Sequence, residues 1–239
     1  MNQDKIVVVM GGPSTEAEIS RQTGSAILKA LQSKGYNAEG MELNPPTFAE
    51  DIKKSGCAIV FNALHGKFGE DGVLQGTLDM LGIPYTGSGV LAAAVTMDKA
   101  ASKRVFVAEG ISTPRSHTYY RYEMKRDLAA EIEQGFSLPV VVKAASQGSS
   151  IGVYIVETKD ALEDALKEAF SYNDEVLVEE FIRGKELTVA VWGNEEKKEA
   201  FPIIEITTAS GRYDYESKYT KGASTHIIPA RVSAEKTKE

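Results

Sequence analysis

Lys143 stands where a β-rich run, Leu138-Pro139-Val140-Val141-Val142, gives way to a loop of small residues from Ala144 to Ser150. Alternation along a strand puts Val141 and Lys143 on one face and Val140 and Val142 on the other. The ammonium is therefore delivered to a fixed spot at the end of a half-buried strand. The loop offers Gly148, the hydroxyls of Ser146, Ser149 and Ser150, and many backbone N–H groups. A fixed cation beside such donors suits a phosphate. A plain hairpin with a solvated lysine satisfies the same pattern.

Four other segments could do chemistry. Gly11-Gly12-Pro13-Ser14-Thr15-Glu16 follows an apolar run and opens a helical pattern, which points N–H groups at an anion. A simple tight turn fits it equally well. Asn62 to Gly72 gathers His65, Lys67, Glu70 and Asp71 among glycines at the end of another apolar run, where ligands collect in parallel sheets. By itself His65 also fits a hydrogen-bonded structural role. Val176 to Ile182 carries Glu179 and Glu180 at a strand end, followed by Glu186. Such an end can read an adenine edge through its backbone and a ribose through a carboxylate, or it can be a solvated acidic turn. Tyr213 to Tyr219, with Lys218, could close over a nucleotide or be a surface loop with incidental tyrosines. The Gly-x-Gly-x-x-Gly, Walker A and Gly-x-Ser-x-Gly patterns are absent, and no His, Asp or Glu set has metal-ligand spacing.

The elements that must position these residues alternate at first. Lys5 to Met10 reads as a strand, then a helix with Ser14 as its N-cap and Gly35 at its end. Ala38 to Leu43 and Cys57 to Leu64 read as strands, and Gly72 to Leu81 as a helix. This order predicts a parallel sheet covered by helices. Val90 to Ala108 predicts one long helix, Met124 to Gln134 a charged one and Lys159 to Ser171 an amphipathic one. Strands are expected over Glu175 to Ile182, Glu186 to Trp192 and Phe201 to Thr208, and an irregular loop over Ala209 to Gly222. The fold class is α/β: an N-terminal parallel-sheet domain, then an α+β domain. The expected limits are 1–96, 97–182 and 183–239.

The 239 residues carry a net charge of −7, which argues against a general binder of nucleic acid or anionic membrane. Cys57 is the only cysteine, so no internal disulfide is possible. No signal sequence precedes the first strand and no apolar run approaches membrane-spanning length, so a cytoplasmic protein is expected.

Taken in order, these runs resemble the D-alanine–D-alanine ligases of the ATP-grasp superfamily. The resemblance rests on Gly-Gly-Pro-Ser-Thr-Glu at 11–16, Ala-Leu-His-Gly at 63–66 with Gly-Glu-Asp-Gly at 69–72, and Gly-Ile-Pro-Tyr-Thr-Gly-Ser-Gly at 82–89. It continues through Met-Asp-Lys at 97–99, Val-Lys at 142–143 with Gly-Ser-Ser-Ile-Gly at 148–152, and Tyr-Asp-Tyr-Glu-Ser-Lys-Tyr at 213–219. It implies ATP, Mg²⁺ and D-alanine as ligands and a homodimer, with residues 97–182 and 183–239 as the small and large ATP-grasp subdomains. Lys99 and Lys143 would contact ATP phosphates, covered by Gly148, Ser149 and Ser150. Glu179, with the backbone from Glu180 to Ile182, would frame adenine, and Glu186 would take the ribose. Glu16 would hold the first D-alanine's ammonium, with His65 beside its carboxylate. Ser149 and Tyr219 would bond with Glu16, and Lys218 would approach the γ-phosphate.

Family members continue into strands that carry an Arg, an Asp and a Glu-x-Asn run, which hold the magnesium ions. No such motif precedes Lys236-Thr237-Lys238-Glu239. The resemblance thus implies a large subdomain incomplete at its C-terminus, no metal ligand among the residues present, and weak or absent turnover by this chain. Two rival functions remain open: a non-catalytic nucleotide-binding fragment, and a D-alanine–D-lactate ligase.

Overall fold

A computed structural model describes residues 4–194, 196–209, 211 and 213–238. Ser210 and Arg212, within the expected irregular loop, lie outside the described residues. The chain forms two compact units, one of residues 1–148 and 152–180, the other of residues 149–151 and 181–239. The limit expected near residue 96 does not divide them. It falls instead between two cores of the first unit, drawn from residues 7–85 and 119–178.

In the first unit, β1 (Ile6–Met10), α1 (Ala17–Ser33), β2 (Ala38–Glu42), α2 (Phe48–Ser55) and β3 (Ile59–Asn62) alternate. The strands pair in parallel in the order β2-β1-β3. Central β1 is apolar on both faces, as a doubly covered parallel strand must be: Val7, Val8 and Val9 are fully buried. All catalytic-looking loops of this sheet leave from strand C-termini. α1 begins at Ala17, and Ser14 is not its N-cap. The Ser14 hydroxyl instead accepts from Glu16 N at 2.9 Å and donates to the His65 carbonyl at 2.9 Å, so it ties two loops together.

After α3 (Val73–Leu81), the expected single helix is two: α4 (Val90–Met97) and α5 (Lys99–Ala108). Asp98 breaks it. Its backbone is extended (ψ 106°) and its carboxylate accepts from Ala101 N at 2.8 Å, so a short acid caps the second helix rather than continuing the first. The expected charged helix is likewise a 3₁₀ turn, Arg121–Lys125, followed by α6 (Leu128–Gly135) capped by Asp127.

β4 (Ser116–Tyr120), β5 (Val140–Ala144), β6 (Val153–Val156) and β7 (Glu175–Glu180) form an antiparallel sheet in the order β4-β7-β5-β6, with α7 (Lys159–Tyr172) between β6 and β7. One face packs Val140, Val142, Val156, Val176 and Val178 against Leu128, Ile132, Leu162, Leu166 and Phe170 of α6 and α7. The other face carries Val141, Lys143, Leu177 and Glu179, because Val141 pairs with Glu179 and Lys143 with Leu177.

The second unit holds β8 (Glu186–Thr188), β9 (Val191–Gly193), β10 (Lys198–Ala200), β11 (Ile204–Thr208), α8 (Tyr215–Tyr219) and β12 (Ser224–Ile227). The strand expected over Glu186 to Trp192 is thus two, in different sheets: β12-β11-β8 and β10-β9. The loop expected to be irregular contains α8, started by Asp214, whose carboxylate accepts from the Ser217 N and hydroxyl at 2.9 and 2.7 Å.

Glu205, 3% exposed on β11, accepts from the Arg231 guanidinium at 2.8 and 3.1 Å, from the Arg231 backbone N–H at 2.9 Å and from Lys185 at 3.3 Å. These partners, Arg231 first, pull its carboxyl from the ordinary 4.5 down to about 2. A folded pKa below the unfolded one stabilises the unit above about pH 4.5, and the effect is lost as pH falls through 2. The urea midpoint read by Trp192 should therefore be higher for the native chain than for Glu205→Gln above pH 5. The gap should narrow steadily toward pH 2. A gap independent of pH would mean that this carboxylate is not held by charge.

Candidate functional site

Within the first unit, the Glu16 carboxylate is 3% exposed at the foot of α1. Two glycine backbones flank it. A Cβ on Gly66 would stand 2.7 Å from Glu16 Oε2, and one on Gly148 would stand 2.6 Å from it. At Gly148 a Cβ would push the Glu16 carboxylate aside, and at Gly66 the backbone itself favours glycine, because φ is +68°. Hydroxyls lock the surrounding loops. Ser20 Oγ donates to Ala63 O at 2.8 Å and accepts from Gly11 N at 2.8 Å, and Thr23 Oγ1 meets His65 Nε2 at 3.1 Å. Glu70 accepts from Gly66 N at 2.6 Å, and Asp71 accepts from Phe68 N at 2.8 Å. The two acids thus shape the loop that carries His65. A cavity of about 310 Å³ borders Ser14, Glu16, Gly66 and Gln147, and one of about 520 Å³ borders Thr23, His65 and Gln75.

The hairpin after β5 links this acid to a lysine. Lys99, at the start of α5, donates from its ammonium to Gln147 O at 2.5 Å, and its backbone N–H donates to Ala145 O at 3.0 Å. Adjacent residues therefore touch both groups: Gln147 holds Lys99 and Gly148 backs Glu16.

Lys143 is not a solvated hairpin lysine. Its ammonium meets Glu179 Oε2 at 2.5 Å, and Lys103 of α5 meets Glu179 Oε1 at 2.9 Å. Nor is Glu179 part of a solvated acidic turn, being 6% exposed. Lys143 and Glu179 are diagonal neighbours on one sheet face, a distance a lysine stem spans. Glu180 faces the other way: its carboxylate accepts from Arg115 N at 2.8 Å, and its own backbone N–H donates to Arg115 O at 3.0 Å.

The second unit holds the remaining predicted residues. Ser149 Oγ and Tyr219 Oη are 2.5 Å apart, and Ser150 Oγ donates to Tyr213 O at 3.2 Å. Both serines are left-handed, φ 49° and 63°, a conformation costing about 1–3 kcal/mol per non-glycine residue and typical of ligand loops. Lys218 lies 5.3 Å from the Tyr213 ring. Ile182 is 61% exposed, and Glu186 is exposed on β8.

Lys103, Ser20, Thr23 and Gln75 escape a reading of the sequence alone. Only Lys103 leaves a trace, its spacing of four from Lys99 on one helix. Chemically, the arrangement offers a buried acid for an ammonium and fixed lysines for phosphates.

Residues 38–88 match the family model for the N-terminus of D-ala D-ala ligase, and residues 105–239 match the model for its C-terminus. The chain belongs to the D-alanine–D-alanine ligase family. It is 49% identical over 97% of its length to the D-alanine–D-alanine ligase of Desulforudis audaxviator, and spans 74% of that relative. The Bacillus anthracis ligase complexed with ATP is 33% identical with a TM-score of 0.79, covering 97% of this chain and 72% of the ligase. The VanG D-Ala:D-Ser ligase of Enterococcus faecalis is 31% identical with a TM-score of 0.80, covering 99% of this chain and 79% of its own. The α/β fold with its ATP-grasp neighbours matches the fold class expected from the sequence. Among the described residues, no helix is long and apolar enough to cross a membrane.

The cradle around Glu16 makes a steric prediction for this ligase-family chain. Gly66→Ala should lower stability by about 1–3 kcal/mol in chemical denaturation, from backbone strain and contact with the carboxylate. Adding Glu16→Ala should return part of that loss. A loss unchanged by the second substitution would show that the carboxylate does not press on this glycine.

Proposed function

We propose that the protein uses ATP to join two D-alanines into D-alanyl-D-alanine, a peptidoglycan precursor made in the cytoplasm, and that it acts as a homodimer. The observation that carries this reading is the pair of adjacent contacts at Gln147 and Gly148. They bring a phosphate-seeking lysine, Lys99, next to an acid suited to an amino-acid ammonium, Glu16. Phosphoryl transfer to an amino acid needs that neighbourhood.

In this reading Glu16 binds the ammonium of the first D-alanine, and His65 stands beside its carboxylate. Lys99 and Lys143 orient the ATP phosphates, and Gly148, Ser149 and Ser150 cover them. The D-alanine carboxylate oxygen bonds to the γ-phosphorus as the bond to ADP breaks, giving an acyl phosphate. The second D-alanine's amine attacks the acyl carbon, loses a proton, and inorganic phosphate departs. The lysines offset negative charge in both steps. Lys218 is assigned to the γ-phosphate, and Tyr219, bonded to Ser149, to closing over the reactants. Glu179 and the backbone from Glu180 to Ile182 are assigned to adenine, and Glu186 to the ribose.

Magnesium, when bound, would offset phosphate charge. Among the described residues no group of three His, Cys, Asp or Glu side chains could hold a metal. No step here is routed through it.

The VanG neighbour acts, by name, on D-Ala and D-Ser. The second substrate is thus a point at which relatives differ, and the family resemblance, which links a tyrosine in the place of Tyr219 with D-alanine, favours D-alanine in this chain. For a form extended through the Glu-x-Asn strand of the family, incubation with ATP, Mg²⁺, D-alanine, D-serine and D-lactate should give D-alanyl-D-alanine as the main product by mass, with one phosphate released per peptide. A dominant ester or D-alanyl-D-serine would overturn the choice of substrate. Nucleotide binding with no phosphate release would favour the non-catalytic reading.

A further inference from the structure

Glu179 is a carboxylate with two cations and very little water. Its side chain is 7% exposed and that of Lys103 is 8% exposed, whereas Lys143 is 26% exposed. Each oxygen has its own lysine: Oε1 takes Lys103 at 2.9 Å and Oε2 takes Lys143 at 2.5 Å. The two lysines are not equivalent. Lys103 is also held by the Pro114 carbonyl at 2.5 Å and sits inside the packing of α5 against the sheet. Lys143 lies at the C-terminal end of β5 and is the member of the group nearest water.

A phosphate arriving at Lys143 competes with Glu179 for the same ammonium. If Lys143 were the only partner of Glu179, release of the ammonium would strand a buried carboxylate without a counter-ion, a strongly unfavourable state. Lys103 removes that obstacle, because it continues to neutralise Glu179 when Lys143 turns away.

We propose that Lys103 is a positioning residue for nucleotide binding: it is the permanent counter-ion of Glu179 and frees Lys143 to exchange that carboxylate for a phosphate. The inference rests on the reading of Lys143 as a phosphate ligand and adds to it a residue that touches no substrate. It also accounts for the spacing of Lys99 and Lys103. One turn of α5 carries the lysine anchored at the hairpin and the lysine that holds the acid of the neighbouring strand.

The test is calorimetric titration of the whole chain with a non-hydrolysable ATP analogue, beside labelling of each lysine by reductive methylation. Lys103→Met should weaken analogue binding at least tenfold. In a Glu179→Gln background, which has no buried charge to neutralise, the same change should cost less than threefold. A structural role alone would give equal losses in both backgrounds, and that result would overturn the proposal. Lys143, held more tightly by an undivided carboxylate, should react at least threefold more slowly in Lys103→Met and recover in the double variant. An unchanged rate would also overturn it. The native chain provides a reading that needs no variant to fold. The analogue should shield Lys143 and leave Lys103 as slow as before, and a Lys103 that speeds up on binding would contradict its role as a permanent partner. Normal binding by Lys143→Ala, or none by the native chain, would sink the phosphate reading and this inference together. Weakened binding by Lys143→Ala with normal binding by Lys103→Met would sink this inference alone.

Discussion

A carboxylate removed from water must be surrounded by donors or cations, and the first unit is arranged around two of them. Glu16 sits between the backbones of Gly66 and Gly148. Glu179 sits between the ammonium groups of Lys103 and Lys143. Each brings together segments far apart in sequence. Glu16 gathers the loop after β1, the loop after β3 and the hairpin after β5. Glu179 gathers α5, β5 and β7. Much of the surrounding detail follows from these demands, including two glycines where a Cβ would press on the Glu16 carboxylate and a lysine more buried than its type favours.

The hairpin after β5 joins the two arrangements. Its strand delivers Lys143 to Glu179, its Gln147 carbonyl anchors Lys99, and its Gly148 closes on Glu16. α5 runs alongside as a second rail, and its start is fixed by the Asp98 cap. Lys99, Lys103 and Lys143 are rooted on helix and strand, while the Gln147 and Gly148 contacts belong to the hairpin. That division suits a site whose geometry must persist while its charges change partners.

Local signals in the sequence were sufficient wherever the deciding contact was local. Alternation placed Lys143 opposite the core-facing Val140 and Val142, and the strand–helix order gave the parallel sheet. Where a side chain's partner was distant, or an alternative local bond won, the sequence misled or fell silent. Ser14 looked like a helix cap because serine commonly is one, yet its hydroxyl bonds the His65 carbonyl, 51 residues away. Asp98 split an apolar helix because its carboxylate prefers the cap to the helix interior. Glu180 and Glu179 look alike in sequence, but strand alternation sends one to Arg115 and the other to the lysines. Lys103 shows in the sequence only as a lysine four residues after Lys99, because its partner lies 76 residues on.

The central claim is that the buried Glu16 carboxylate exists to receive the ammonium of an amino acid. Calorimetric titration with D-alanine tests it most directly, comparing the native chain with Glu16→Gln and with Glu18→Gln, an exposed acid two residues on. The account predicts a loss of at least tenfold in D-alanine affinity for Glu16→Gln, the scale of a lost charge-assisted contact, and native affinity for Glu18→Gln. Equal affinity in all three chains would show that Glu16 is a structural acid and that the ammonium binds elsewhere.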